Sequence, residues 1–218
     1  MRRTLIAGMA CALAACASHP PAPDWQANAK TASERAVAAY LVGNARIEAA
    51  ELSRARSEVA RTGRADLLAR VELAQCAAQA ASLVFGPCTA FEPLRVDAAA
   101  PERAYADYLA ARATGADIAL LPEPHRAVAT GGAGDAPNVA ALKSIVDPLS
   151  RLVAAGVLFE AGRADPQVIA QAIDTASAQG WRRPLLAWLG VQLKRAEQGG
   201  DGAEVQRLQR RIALVLND

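Results

Sequence analysis

Apolar residues recur at steps of three and four along most of this chain, and glycine or proline separates one run from the next. One such run contains Leu185, Trp188, Leu189 and Leu193. Steps of three and four place side chains on one face of an α-helix. The pattern therefore predicts an all-α fold built from antiparallel helical hairpins.

The first predicted hairpin covers residues 25–86. An apolar seam of coiled-coil type runs through its first helix, at Ala38, Ala45, Leu52 and Val59. Arg56 interrupts this seam, and Gly43 costs a helix about 1 kcal/mol, which indicates a break near Asn44. Gly63 closes the helix, and a second apolar stripe follows. Two long helices joined by so short a turn are expected to pack antiparallel.

The second half of the chain begins with its least regular stretch, residues 116–138, which is rich in proline and glycine. A loop of this length is uncommon inside a compact domain and is usually either functional or disordered. Helices are predicted to fill residues 139–217. A division is expected at Asp147, and Asp165 has the position of a helix cap before a proline.

A short turn sequence, Gly-Arg-Ala-Asp, occurs twice, at residues 63–66 and 162–165. A Glu-x-Gly pair at residues 160–162 recurs 37 residues later, at residues 197–199. Helix, glycine turn and helix at this spacing resemble the tetratricopeptide family, whose period is near 34. That resemblance implies stacked helix pairs. The full consensus of the family is absent, so a non-repeating helical bundle with similar turns is the alternative.

The first fifteen residues have the three parts of a secretory signal. Arg2 and Arg3 are basic, residues 5–13 are apolar or small, and Ala14 and Ala15 precede a cysteine. The apolar run is too short for a permanent transmembrane helix, which needs roughly 20 residues. Residues 1–15 are therefore predicted to be a signal peptide that is cleaved off.

Residues 13–16, Leu-Ala-Ala-Cys, resemble the lipobox of bacterial lipoproteins. The resemblance implies a diacylglycerol on the sulfur of Cys16, cleavage before that residue, and acylation of the new amino group, for example with palmitate. In this family an Asp after the cysteine tends to retain the protein in the inner membrane, whereas Ala17 follows here. The implied location is the periplasmic face of the outer membrane. The alternative is an ordinary signal peptide with a cysteine at this place by chance.

Residues 16–24 form a short, proline-rich tether between the predicted anchor and a helical domain at residues 25–218. Two or more acyl chains hold a protein stably on a membrane, whereas one chain binds only marginally. The membrane is thus an expected partner through the lipid, and the domain is expected to lie close to it.

The charge of the chain argues against nucleic acid as a partner. The net charge is +2, from 24 basic and 22 acidic residues. Because Arg2 and Arg3 leave with the signal peptide, the mature chain has 22 of each and is neutral. It therefore lacks the basic footprint of a nucleic-acid-binding protein.

Two cysteines lie within the predicted domain, Cys76 and Cys88. In an oxidising compartment the simplest expectation is a disulfide. Closing a loop of about 13 residues would stabilise the fold by about 3 kcal/mol in the chain-entropy treatment. Metal binding is the alternative, but no second pair of cysteine or histidine residues completes a four-ligand set.

The search for a catalytic site starts with the two histidines. His19 lies in the tether. His125 lies in the irregular stretch near Glu123, where the two could act as an acid–base pair, although an exposed loop histidine is the simpler interpretation. Phosphate-binding loops, nucleophile elbows and His-Glu-x-x-His motifs are absent, so no cofactor is predicted.

The sequence therefore favours a non-enzymatic helical interaction or assembly factor that binds another protein of the cell envelope. One alternative is an envelope hydrolase that uses the loop around His125. Another is a binding module for an apolar ligand between alanine-lined helices, which predicts a sizeable closed cavity. The identity of the partner and the oligomeric state do not follow from these patterns.

Overall fold

The computed structural model describes residues 23–131 and 135–217, and regular structure within these ranges is helical, which confirms the all-α prediction. The predicted signal peptide, Cys16 and His19 lie outside the described residues. The helices are α1 (Asp24–Val42), α2 (Ala45–Ala60), α3 (Ala65–Ala81), α4 (Ala100–Leu109), α5 (Glu123–Thr130), α6 (Asp135–Ser144), α7 (Pro148–Glu160), α8 (Pro166–Ala178), α9 (Arg182–Gln198) and α10 (Gly202–Leu216).

The first hairpin is formed by α1 and α2, which turn back on each other at Gly43. This glycine has a left-handed backbone with φ of 85°, and the Asn44 side chain accepts a hydrogen bond from the Ile47 N–H at 3.2 Å. Ala29 near the start of α1 packs in one cluster with Val59 near the end of α2. The two helices are therefore antiparallel.

The prediction of one helix up to Gly63 was wrong, because a break lies near Asn44, whereas the predicted turn at Gly63 is present between α2 and α3. The break near Asn44 is the turn of the hairpin, and α3 packs against both of its helices. Arg56, which interrupts the apolar seam, points to α3 and donates two hydrogen bonds to the Glu72 carboxylate at 2.6 and 2.7 Å. The residue that interrupts the seam, Arg56, therefore forms an ion pair between α2 and α3.

The centre of the fold is α3, which contacts α1, α2, α4 and α7. Where α7 crosses α3, a Cβ atom on Gly156 would overlap the carbonyl oxygen of Ala80. Only glycine permits this close approach of the two backbones. The crossing keeps α7 and α3 together as two adjoining walls of a cleft described below.

The disulfide prediction agrees with the structure. The sulfur atoms of Cys76 and Cys88 lie at bonding distance, and their Cα atoms are 6.0 Å apart. Cys76 lies on α3, whereas Cys88 belongs to the segment that leaves this helix. The pair therefore holds that segment back along α3, where both cysteines line one pocket with Ala106 and Leu109 of the last part of α4.

The prediction that residues 116–138 are irregular was wrong. They contain a short 3-10 helix, Ile118–Leu120, together with α5 and the first residues of α6. Proline was interpreted as a helix breaker, but Pro124 lies in the first turn of α5, where proline is well tolerated. Val128 of α5 is 1% exposed, so core packing stabilises this short helix.

The C-terminal helices follow the predicted order, and α7, α8, α9 and α10 each pack on the helix before. Asp165 caps α8 by accepting hydrogen bonds from the N–H groups of Gln167 and Val168. Both Gly-Arg-Ala-Asp turns have a left-handed glycine. Their arginines differ, however, because Arg64 pairs with Asp66 whereas Arg163 binds the carbonyl oxygen of Gly131. The repeated turn sequence is thus not matched by repeated contacts of its arginine, and the tetratricopeptide arrangement stays a prediction.

Candidate functional site

The candidate site is a cleft of about 930 Å³ between α1, α3, α4, α5 and α7, open to solvent and here called the central cleft. Its walls are mostly apolar. The residues that form them include Val37 and Leu41 of α1, Leu73 and Ala77 of α3, and Val153 of α7. Ligand sites in proteins commonly have this size and this largely apolar lining.

One end of the central cleft contains a cluster of three rings. His125 of α5 is 2% exposed, and its ring centroid lies 5.5 Å from that of Tyr105 and 5.0 Å from that of Tyr108. Both tyrosines come from α4, where a spacing of three residues puts them on the same face. His125 and Tyr105 line the cleft itself.

Burial determines the charge of this ring cluster. It lowers the pKa of His125 from 6.5 to about 4, although the nearby Asp147 carboxylate acts in the opposite direction. The imidazole is therefore neutral at physiological pH. Burial also raises the pKa of Tyr105 and of Tyr108. The His125 Nδ1 atom has no hydrogen-bond partner among the residues that the structure describes.

The predicted acid–base pair of His125 and Glu123 is not formed. His125 is buried on a helix and is not an exposed loop residue, as the simpler interpretation had it. Glu123 is exposed at the start of the same helix. Residues two positions apart on a helix do not face each other, so the carboxylate points away from the imidazole.

Acidic groups border the central cleft on several helices. The Arg70 Nε donates a hydrogen bond to Oε1 of Glu102 at 2.6 Å, and Glu102 is 9% exposed. Its second oxygen, Oε2, has no partner within the described ranges. Asp147 caps α7 by accepting a hydrogen bond from the Ser150 N–H at 2.7 Å. Glu34 of α1 adds a third carboxylate to the lining.

Basic groups of the central cleft are fewer. Arg70 lies at its mouth, with a side chain that is 60% exposed, and is paired with Glu102. Arg126 donates a hydrogen bond from Nε to the carbonyl oxygen of Leu121 at 2.9 Å. Because His125 is neutral, the charged groups of the lining are two guanidinium groups and three carboxylates. Glu34 is paired with Lys30 of the same helix at 2.6 Å, so the charges at the central cleft balance at physiological pH.

Two exposed apolar residues belong to the cleft lining or directly precede a lining residue. Leu120, which belongs to the lining, is 40% exposed. Val146 is 89% exposed and directly precedes the lining residue Asp147. Apolar groups at the margin of an apolar cleft are typical of surfaces that bind another molecule.

Sequence reasoning identified His125 but missed Glu102, Tyr105 and Asp147. A usable signal was present, because aromatic residues make up only 4% of the chain and two tyrosines lie three positions apart, a spacing that shares one helix face. The convergence of these side chains depends on helices that are distant in sequence. The spacing of residues along the sequence could not reveal this convergence.

Within the described residues, a metal site and a membrane-spanning helix are both absent. No group of three or more histidine, cysteine, aspartate or glutamate side chains among them is arranged to hold a metal ion. In the same part of the chain, no helix combines the length and apolar character needed to cross a membrane.

No known protein family, curated protein or solved structure matches this chain. The case for a functional site therefore depends on the geometry and chemistry of the central cleft.

Proposed function

We propose that this chain is a lipid-anchored protein of the bacterial cell envelope that binds an apolar segment of another envelope protein in the central cleft. The lipobox resemblance of residues 13–16 supports the anchor and the location. The open, apolar cleft supports the binding of a partner, and it is the observation on which the proposal mainly depends. On this proposal the protein is a non-enzymatic interaction or assembly factor.

The shape of the cleft favours a protein segment over a small apolar ligand. A module for small apolar molecules was expected to enclose a cavity, whereas this cleft is open and has exposed apolar groups at its margin. An open cleft lets a chain enter and leave. Its volume of about 930 Å³ is near the upper end for ligand pockets, which suits several side chains of a partner.

The ring cluster is consistent with binding. A general base works best with a pKa near the working pH, whereas burial lowers the pKa of His125 to about 4. The neutral imidazole lies against the rings of Tyr105 and Tyr108, as in a packed core. An envelope hydrolase based on His125 and Glu123 is therefore the less favoured function.

The proposal can be tested by site-specific photocrosslinking in intact cells. A photoreactive residue at Ser33, which lines the cleft, is expected to give a discrete adduct with an apolar segment of one envelope protein. The same residue at Lys194, exposed on α9, is the matched control and is expected to give none.

A blocking variant gives the decisive comparison. Ala38→Trp adds a large side chain to the exposed cleft lining of α1, whereas Ala203→Trp adds it to the exposed surface of α10. The adduct should disappear with Ala38→Trp and persist with Ala203→Trp. An adduct that survives the blocked cleft would contradict the proposal.

A further inference from the structure

The imidazole of His125 is a polar contact point between the apolar walls of the central cleft. We infer that Nε2 of His125 donates a hydrogen bond to a main-chain carbonyl oxygen of the bound segment, which therefore passes this point in an extended conformation. This inference rests on the proposed function. It adds one anchoring contact and the local backbone conformation of the partner.

The two ring nitrogens of His125 have different surroundings. The side chain is 2% exposed and belongs to the lining of the cleft. Nδ1 is enclosed and has no hydrogen-bond partner among the described residues. Nε2 also has no partner in the described part of the chain, but it is not one of the enclosed polar atoms. Nε2 is therefore the ring nitrogen that a molecule in the cleft can reach.

The enclosed nitrogen determines where the single proton of the neutral imidazole lies. A neutral imidazole has one N–H donor and one acceptor nitrogen. A proton on Nδ1 would be a buried donor without an acceptor, next to the rings of Tyr105 and Tyr108. Buried N–H groups without an acceptor are rare in proteins. The proton is therefore assigned to Nε2, which makes the reachable nitrogen a donor.

Acceptor groups close to His125 in sequence or acting on its charge have other donors. The Leu121 carbonyl accepts from Nε of Arg126 at 2.9 Å, and the Pro122 carbonyl accepts from the main-chain N–H of His125 at 3.0 Å. Oδ2 of Asp147 caps α7. The donor at Nε2 is thus left for water or for a bound molecule.

A segment that fills the cleft displaces this water and has to replace it as an acceptor. Leaving the buried N–H unpaired would weaken binding by about tenfold or more. Apolar side chains suit the walls but contain no acceptor, so the main chain of the segment has to supply one. Within an α-helix the main-chain carbonyls already accept from N–H groups four residues further on. The contact therefore requires an extended stretch opposite His125.

Nitrogen NMR of the full-length chain with Cys16→Ser and ¹⁵N-labelled histidine tests the donor directly. The chain contains two histidines, so His19→Phe identifies the signals of His125. At pH 7 we expect the proton of this imidazole on Nε2. A proton on Nδ1 would overturn the inference, because Nε2 would then be an acceptor. This measurement needs no change at His125 itself.

Peptides selected from a random library are the probes for the carbonyl. Selections on the open cleft and on the cleft blocked by Ala38→Trp run in parallel, and only peptides lost on the blocked cleft are kept. In each kept peptide one main-chain amide at a time is replaced by an ester, whose carbonyl is a weaker acceptor. We expect one ester position to weaken binding to the parent protein several-fold.

His125→Phe shows whether that carbonyl meets the imidazole. This variant should bind the unmodified peptide about tenfold more weakly, the size expected for one lost hydrogen bond with its buried partner left unpaired. It should also be insensitive to the ester. His19→Phe is the matched control, and it should bind as the parent does and keep the ester effect.

The outcomes separate the inference from the proposed function. An ester effect at no position, or an equal effect in His125→Phe, would overturn the contact with His125 and leave the proposed function standing. So would a shared asparagine or glutamine whose side chain supplies the acceptor in place of the main chain. If the blocked and open clefts select the same peptides, both the inference and the proposed function fail.

Discussion

The indole Nε1 of Trp188 donates a hydrogen bond to the carbonyl oxygen of Ala81 over 3.1 Å, which joins α9 to the last residue of α3. Both residues are fully buried. Carbonyl groups at the end of a helix have no partner within the helix, so this bond satisfies one of them. The contact connects residues that are 107 positions apart in the chain.

Trp188→Phe should lower the free energy of unfolding by about 1–3 kcal/mol, since the Ala81 carbonyl then stays buried without a donor. Urea denaturation followed by circular dichroism measures this change. Trp25→Phe, at a half-buried position near the start of α1, is the control and should have a small effect. Equal stability of the two variants would show that the hydrogen bond does not matter.

Gly156→Ala should be strongly destabilising because its Cβ would overlap the backbone of Ala80, and overpacking of this kind costs about 1–3 kcal/mol or more. The matched control is Gly190→Ala in α9, where a Cβ meets open space. Alanine is the better helix former there, so this variant should gain up to about 1 kcal/mol. Thermal unfolding of the two variants should therefore shift in opposite directions.

Protonation of His125 should weaken the fold in acid. The pKa of this residue is about 4 in the folded protein and 6.5 when it is unfolded, so the unfolded chain binds more protons between these values. Stability is then lost as the pH falls from 6.5 to 4, by about 3 kcal/mol in total, and levels off below.

His125→Phe should remove this part of the pH dependence, because phenylalanine fits an aromatic cluster and does not titrate. The measurement is the urea midpoint between pH 7 and pH 4.5. His19→Phe, in the predicted tether, serves as the control and should keep the slope of the parent protein. An unchanged slope in His125→Phe would mean that other groups cause the acid sensitivity.

Cys16→Ser should release the protein from membranes, since serine cannot carry the thioether-linked lipid of the lipobox family. Fractionation of cells and metabolic labelling with palmitate measure this, and Cys88→Ser is the control that should stay membrane-bound. Unchanged partitioning of the Cys16 variant would refute the proposed anchor.

Local signals in the sequence predicted many helix ends correctly. Asp147 and Asp165 each precede a proline and begin a helix. These features depend on a few neighbouring residues. The disulfide was predictable for a similar reason, since its two cysteines are close in the chain.

The turn at Gly43 and the helix α5 depended on distant contacts. A glycine costs a helix only about 1 kcal/mol, so the heptad seam was compatible with a continuous helix. The packing of Ala29 against Val59 across the hairpin favours the turn. The central cleft was less predictable still, because five helices from separate parts of the chain form it.

With the proposed anchor in place, the position of α1 would set the distance between the membrane and a segment bound in the central cleft. This helix starts at Asp24, right after the proposed tether, and its residue Val37 already forms a wall of the central cleft. At 1.5 Å per residue the two positions are about 20 Å apart along the axis. If the chain is anchored as proposed, α1 works as a rigid spacer that sets how far from the bilayer a bound segment is held.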